Sequence, residues 1–204
     1  MSSFLISKFG ENISKENLNS LLTIKNENTR NNIVYHFLNQ KDKDVVLFLI
    51  HNNIIPKSMS LNLFKFIVNN ELFNLFLELD YNKFNIHTGD DYALGLSSEY
   101  GHIEVVKFLI ANGADINADD GYALRLSSEN GHIEVVKFLI ENGANIHAGD
   151  DYALRMSSFY GRIDVVKILI NADLDYYINN EIAKKIVINH KLIEFYEKFN
   201  IVLN

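Results

Sequence analysis

Two groupings of side chains in this chain could carry chemistry. Ser98 with His102, and Ser128 with His132, could each pair a hydroxyl nucleophile with an imidazole base. Gly89-Asp90-Asp91 and Gly149-Asp150-Asp151 present adjacent carboxylates of the kind found in RNA polymerases, where they lie between apolar strands of far larger chains. Both groupings occur twice. A catalytic centre needs one copy, whereas structural positions recur with the fold, so the histidines read as satisfied structural groups and the aspartates as helix caps. His102 and His132 take equivalent places in adjacent units, about 8 to 10 Å apart if helix packing sets the spacing, which is too far to share a metal. His87 and His147 are two units apart. Neither Gly-x-Gly-x-x-Gly nor Gly-x-x-x-x-Gly-Lys-Ser/Thr occurs, so no phosphate-cradling loop is present. No catalytic residue, cofactor or metal site is expected, and the chain does not read as an enzyme.

The elements that position these residues are repeats. Residues 85–114, 115–144 and 145–174 are nearly the same thirty residues, marked by Tyr92-Ala93-Leu94, Tyr122-Ala123-Leu124 and Tyr152-Ala153-Leu154. A fixed period of this length means stacked supersecondary units, each unable to bury its apolar face without a neighbour. Within one unit, Asp120 to Gly131 reads as a short helix, opened by a capping aspartate and closed by a glycine that can turn left-handed. His132 to Ile140 then places Ile133, Val136 and Leu139/Ile140 at the spacing of an amphipathic helix, which closes at Asn142-Gly143.

Read at the same period, the pattern extends outward. Asp44 to Ile50 lies sixty residues before Glu104 to Ile110, and Phe73, Phe76 and Leu79 take the places of Ile103, Val106 and Leu109. The whole chain, residues 1–204, thus reads as one elongated domain. It would comprise an N-terminal cap (1–31), degenerate repeats (32–61 and 62–91), clear repeats (92–121, 122–151 and 152–181) and a C-terminal cap (182–204). Helices are expected over 13–23, 182–189 and 192–198. Where Gly113 and Gly143 end a helix, the other units have Asn53, Lys83 and Asp173. Asparagine and aspartate tolerate the left-handed conformation and lysine does not, so the turn at Lys83 should be the least regular.

Charge narrows the partners. The net charge is −7, and residues 85–174 alone hold 14 acidic against 6 basic side chains. A phosphate backbone demands clustered Lys and Arg, so nucleic acid is a poor partner. The absence of cysteine fits a reducing compartment. No apolar run approaches the roughly 20 residues that span a bilayer, and the first residues lack an export signal, so a cytoplasmic chain without membrane contact is expected.

The stretch Gly131-His132-Ile133-Glu134-Val135-Val136-Lys137-Phe138-Leu139-Ile140-Glu141-Asn142-Gly143-Ala144-Asn145-Ile146 resembles the second half of an ankyrin repeat, and the match recurs from Gly101 and Gly161. The first half departs: Tyr92-Ala93-Leu94-Gly95 and its copies replace Thr-Pro-Leu-His, and Ser-Ser replaces Ala-Ala. The period is 30 instead of 33. The resemblance implies an all-α, ankyrin-type α-solenoid of stacked helix-turn-helix repeats. The three missing residues fall where the family builds a projecting hairpin, so the fingers should be short with little or no strand pairing. The Asp-Asp-Tyr-Ala-Leu-Arg variant is similar to ankyrin-repeat proteins of giant DNA viruses of amoebae, which implies a host protein as partner and the host cytoplasm as location.

Differences among near-identical copies mark the candidate surface. Gly95/Arg125/Arg155 vary, as do Glu99-Tyr100, Glu129-Asn130 and Phe159-Tyr160 just before the inter-helix glycine. In the family this first-helix surface lines the concave groove, and Tyr, Phe and Arg are favoured at interface cores. Drift is the competing explanation. Asp90/Asp91, Asp119/Asp120 and Asp150/Asp151 should line up as an acidic ridge, either a solvated edge or a track for a basic segment of a protein partner. Tyr92, Tyr122 and Tyr152 should stack beside it. The expected function is a monomeric, non-enzymatic protein-binding module; the alternative is a structural protein that self-associates through its terminal repeats, for instance with Phe195, Tyr196 and Phe199.

Overall fold

The computed structural model describes residues 25–40, 43–69, 72 and 84–179. The expected helices at 13–23, 182–189 and 192–198, the turn at Lys83 and the cluster of Phe195, Tyr196 and Phe199 lie outside them. The chain divides into two compact units between Thr88 and Gly89.

The first unit holds α1 (Glu27–Gln40), α2 (Lys43–His51), a single 3-10 turn (Lys57–Met59) and α3 (Ser60–Asn69). Asn26 opens α1 by accepting the Thr29 N–H on its side-chain oxygen at 2.9 Å, which satisfies one of the amides a helix start leaves free. α1 and α2 pack together, with Val45, Val46 and Leu49 of α2 and Ile33, Val34 and Phe37 of α1 all buried. α2 ends as the aligned sequence anticipates. Asn53 takes φ 55°, Asn53 N–H reaches the Ile50 carbonyl and Ile54 N–H the Leu49 carbonyl, a paired closure that needs one left-handed residue. Pro56 stands between the helices, before the 3-10 turn.

The second unit holds α4 (Thr88–Glu99), α5 (Ile103–Ala111), α6 (Ala118–Asn130), α7 (Ile133–Glu141), α8 (Ala148–Phe159), α9 (Ile163–Ala172) and α10 (Leu174–Asn179). Packing is translational: α6 lies on α8, α5 on α7, and α7 on α9, with α6 against α7 and α8 against α9 within each repeat. One shared interior results. Val105, Val106 and Leu109 recur as Val135, Val136 and Leu139 and as Val165, Val166 and Leu169, all buried, with Leu94, Leu124 and Leu154 from the first helices. Full burial of each such side chain contributes roughly 1.5 to 3 kcal/mol, enough to outweigh local irregularities. No strand occurs among the described residues, and the links between the clear repeats, such as 112–117, run directly into the kinked starts of the first helices. The short fingers follow from the missing residues.

Two local expectations need correction. The aspartates at the first-helix entrance were expected to cap it, yet they lie inside the kinked start of the helix, and the residues before that start, Asn117 and His147, make no side-chain capping hydrogen bond. Instead, Gly89-Asp90-Asp91, Asp119-Asp120-Gly121 and Gly149-Asp150-Asp151 each form a turn of three successive left-handed residues, φ 49–70° and ψ 33–57°. Glycine bears this at no steric cost, and aspartate is one of the few others that visits it. Asp173, expected to be left-handed, has φ −144°. Its carboxylate accepts the Tyr176 N–H at 3.1 Å and so starts α10.

Candidate functional site

The six edge aspartates do not form one ridge. Asp90, Asp119, Asp120 and Asp150 are exposed, whereas Asp91 and Asp151 are only 8% and 5% exposed. The buried pair ties each repeat to the next. Asp91 Oδ2 accepts the Asp115 N–H at 3.0 Å. One repeat later the position is Gly121, and Asn117 makes the rung instead: its Oδ1 accepts the Asn145 N–H at 2.8 Å and its amide donates to the Gly143 carbonyl. In the next repeat Asp151 accepts from His147 Nδ1 at 2.7 Å and from Tyr176 Oη at 3.1 Å. Alignment alone could not separate the two roles, because aspartates for solvent and aspartates for the neighbouring backbone stand side by side.

The tyrosine column is real but interrupted. Tyr92 and Tyr122 stack at 6.4 Å with 19° between their planes. Gly95 makes the room, since a methyl there would overlap the Tyr122 ring. Thirty residues on, Arg125 replaces that glycine and lays its guanidinium 4.5 Å over the Tyr152 ring, a cation–π contact. Arg125 and Arg155 also donate back to the carbonyls of Asp119 (3.4 Å) and Gly149 (3.1 Å), bracing the left-handed turn of their own repeat. Arg125 thus packs on the next repeat at the place where Gly95 leaves room for Tyr122.

At the far end of the first helices, the carboxylates of Glu99 and Glu129 are partly buried. Burial, and then the Glu129 charge, push the Glu99 carboxyl above the usual range. Burial and the nearby Glu99 raise the phenols of Tyr92 and Tyr122 as well. Glu129 accepts from Tyr152 Oη at 3.3 Å. The third place in this column is Phe159, 68% exposed, beside Tyr160 at 49% and with Tyr100 at 48% two repeats away. Phe159 and Tyr160 meet edge to face at 5.0 Å. Asn130 is exposed and bonds to the Leu126 carbonyl at 3.0 Å. Next to these residues an open cleft of about 260 Å³ is lined by Gly131, Ile133, Arg162 and Ile163; Ile133 and Ile163 are among the exposed hydrophobic residues.

The serine–histidine groupings are structural. His132 Nε2 lies 2.8 Å from the Glu99 carbonyl of the preceding repeat, and Arg162 Nε donates to the Glu129 carbonyl at 3.0 Å in the same way. Ser127 Oγ donates to the Ala123 carbonyl at 2.8 Å, while Ser98, Ser128 and Ser158 are sealed in the core with their hydroxyls unpaired. Among the described residues no three His, Asp or Glu side chains are placed to hold a metal ion. No helix among them is long and apolar enough to cross a membrane.

Helix pairs stacked by translation, joined by backbone rungs and presenting a varied first-helix face, define an α-solenoid of the repeat-scaffold class. The family model for ankyrin repeats (3 copies) matches residues 5–150 and 95–180, and the chain belongs to the ankyrin-repeat family. Such repeats are generally protein–protein interaction modules and non-enzymatic scaffolds. No curated protein matches the chain.

Proposed function

We propose that this chain is a protein-binding module that recognises a basic segment of its partner through the first-helix face and the exposed part of the acidic edge. One observation carries the reading. Tyr100, Phe159 and Tyr160 stand out in solvent where the flanking copies keep their core residues identical, and Glu99 and Glu129 hold the places of Phe159 in the two preceding repeats. Asp90, Asp120 and Asp150 add a negative charge at the same place in each clear repeat, favouring fast, salt-sensitive association with a cation-rich chain. Asp91, Asp151, Arg125 and Arg155 are occupied within the fold and act by positioning their neighbours. The protein acts as a monomer in this reading. The likeness to giant-virus ankyrin proteins makes a host cytoplasmic protein the source of the partner.

Selection of binders from a random peptide library displayed on phage tests this. Enrichment of Lys- and Arg-rich peptides is expected, with affinity falling as salt rises and falling several-fold more for Tyr100→Ala/Phe159→Ala/Tyr160→Ala. Binders without basic bias, or equal binding by the triple variant, would overturn it. Light scattering on the purified chain should give a monomer; a dimer would favour self-association.

A further inference from the structure

The rungs between repeats differ in whether they can respond to protons. Asn117 makes its rung with an amide that never changes charge. His147, its counterpart one repeat later, sets Nδ1 2.7 Å from Asp151 Oδ1 and Nε2 3.3 Å from Asp173 Oδ2. We infer that His147 is a proton-dependent clasp, holding α10 to the last described repeat as an imidazolium and releasing Asp173 when it loses a proton.

A neutral imidazole has one N–H and one lone pair, so with a carboxylate oxygen on each nitrogen only the doubly protonated ring donates to both. The two carboxylates are not equivalent. Asp151 is buried and also accepts from Tyr176 Oη, with Tyr177 Oη at 3.5 Å, so it retains the Nδ1 proton. Asp173 is far more open, and the Nε2 proton that faces it is the one given up. Asp173 itself stays anionic to below the usual carboxylate range, because the Tyr176 N–H and then His147 bond its charged form. Other groups on the surrounding elements have separate partners or face solvent. Asp150, Asp175 and Glu141 are exposed, Asp164 of α9 pairs with Lys167 at 3.4 Å, and Arg125 and Glu129 of α6 engage Tyr152.

The sign follows. The link to Asp173 is complete when the ring is protonated and weakens as rising pH removes the Nε2 proton. Its carboxylate half fails only in acid. Between those limits the histidine alone decides. The docking of α10, described over six residues, holds Tyr177 wholly buried with its ring 5.5 Å from that of His147. Loss of the clasp therefore loosens α10 and admits water to that aromatic cluster.

Two measurements on the full chain test this: imidazole ¹⁵N shifts across pH 5.5 to 8.5, and amide exchange of α10 referenced to unstructured peptide at each pH. His147 should pass from imidazolium to the Nδ1–H tautomer, and protection at Tyr177 should fall about three- to tenfold over the same range, as loss of one charge-assisted bond at a half-exposed site implies. Protection in α7 should stay constant. His147→Asn, which copies the residue found at Asn117 and so suits the fold, should abolish the pH dependence; Asp173→Asn should do the same. A ring neutral at pH 5.5, or constant α10 protection while the ring titrates, would overturn the clasp.

Discussion

Side chains at equivalent places in the three clear repeats have different tasks, and substitution separates them. Ser128 is buried with its hydroxyl unpaired, while its neighbour Ser127 bonds to a backbone carbonyl. An unpaired buried hydroxyl costs about 1 to 3 kcal/mol of desolvation, so Ser128→Ala should raise stability in urea unfolding by about 1 kcal/mol, and Ser127→Ala should not. Glu99 offers a pH-dependent case. Burial and the Glu129 charge raise its carboxyl, so the folded state prefers the protonated form, and its contribution is lost as pH rises through the raised value. Glu99→Gln should therefore raise the Tm at pH 7, and the gain should vanish below about pH 4, where the wild-type carboxyl is neutral as well. The exposure of Tyr100, Phe159 and Tyr160, just before the inter-helix glycine, was legible from the comparison of copies. The contact of Arg125 with Tyr152 was not, because it mirrors Gly95 making room for Tyr122, a contact between units that no single unit reveals.

The helices and their ends were legible because the signals there are redundant: apolar spacing, Asn52, Asn112 and Asn142 each donating to the carbonyl four residues before, and the glycine or Asn53 that follows. The left-handed turns were not. Aspartate and glycine favour both helix caps and left-handed backbone, so Asp119-Asp120-Gly121 is ambiguous until the missing three residues of the finger are seen to force the tighter path. Asp120, at φ 54° and ψ 46°, provides the test. Asp120→Val should cost about 1 to 2 kcal/mol in chemical denaturation, whereas Asp120→Gly should stay within about 1 kcal/mol of wild type. Equal losses would mean that the aspartate side chain, and not the backbone, holds the turn.

At the scale of the molecule, the proposed function depends on a shared interior that leaves the first-helix face outside it. Among the described residues the clear repeats pack on their neighbours through the same core positions and through recurring hydrogen-bonded rungs, so stability should behave as a sum of unit and interface contributions. Removing residues 115–144 examines this most directly, since the new junction joins Ala114 to Asn145 in register. Tyr152 would then meet Gly95 as Tyr122 does, Arg162 would reach the Glu99 carbonyl as His132 does, and Asp91 would receive the Asn145 N–H. Circular dichroism and urea unfolding of the shortened chain should show the same helicity per residue and a single cooperative transition at lower urea. A collapsed or non-cooperative product would contradict translational stacking, and with it the recognition face built upon it.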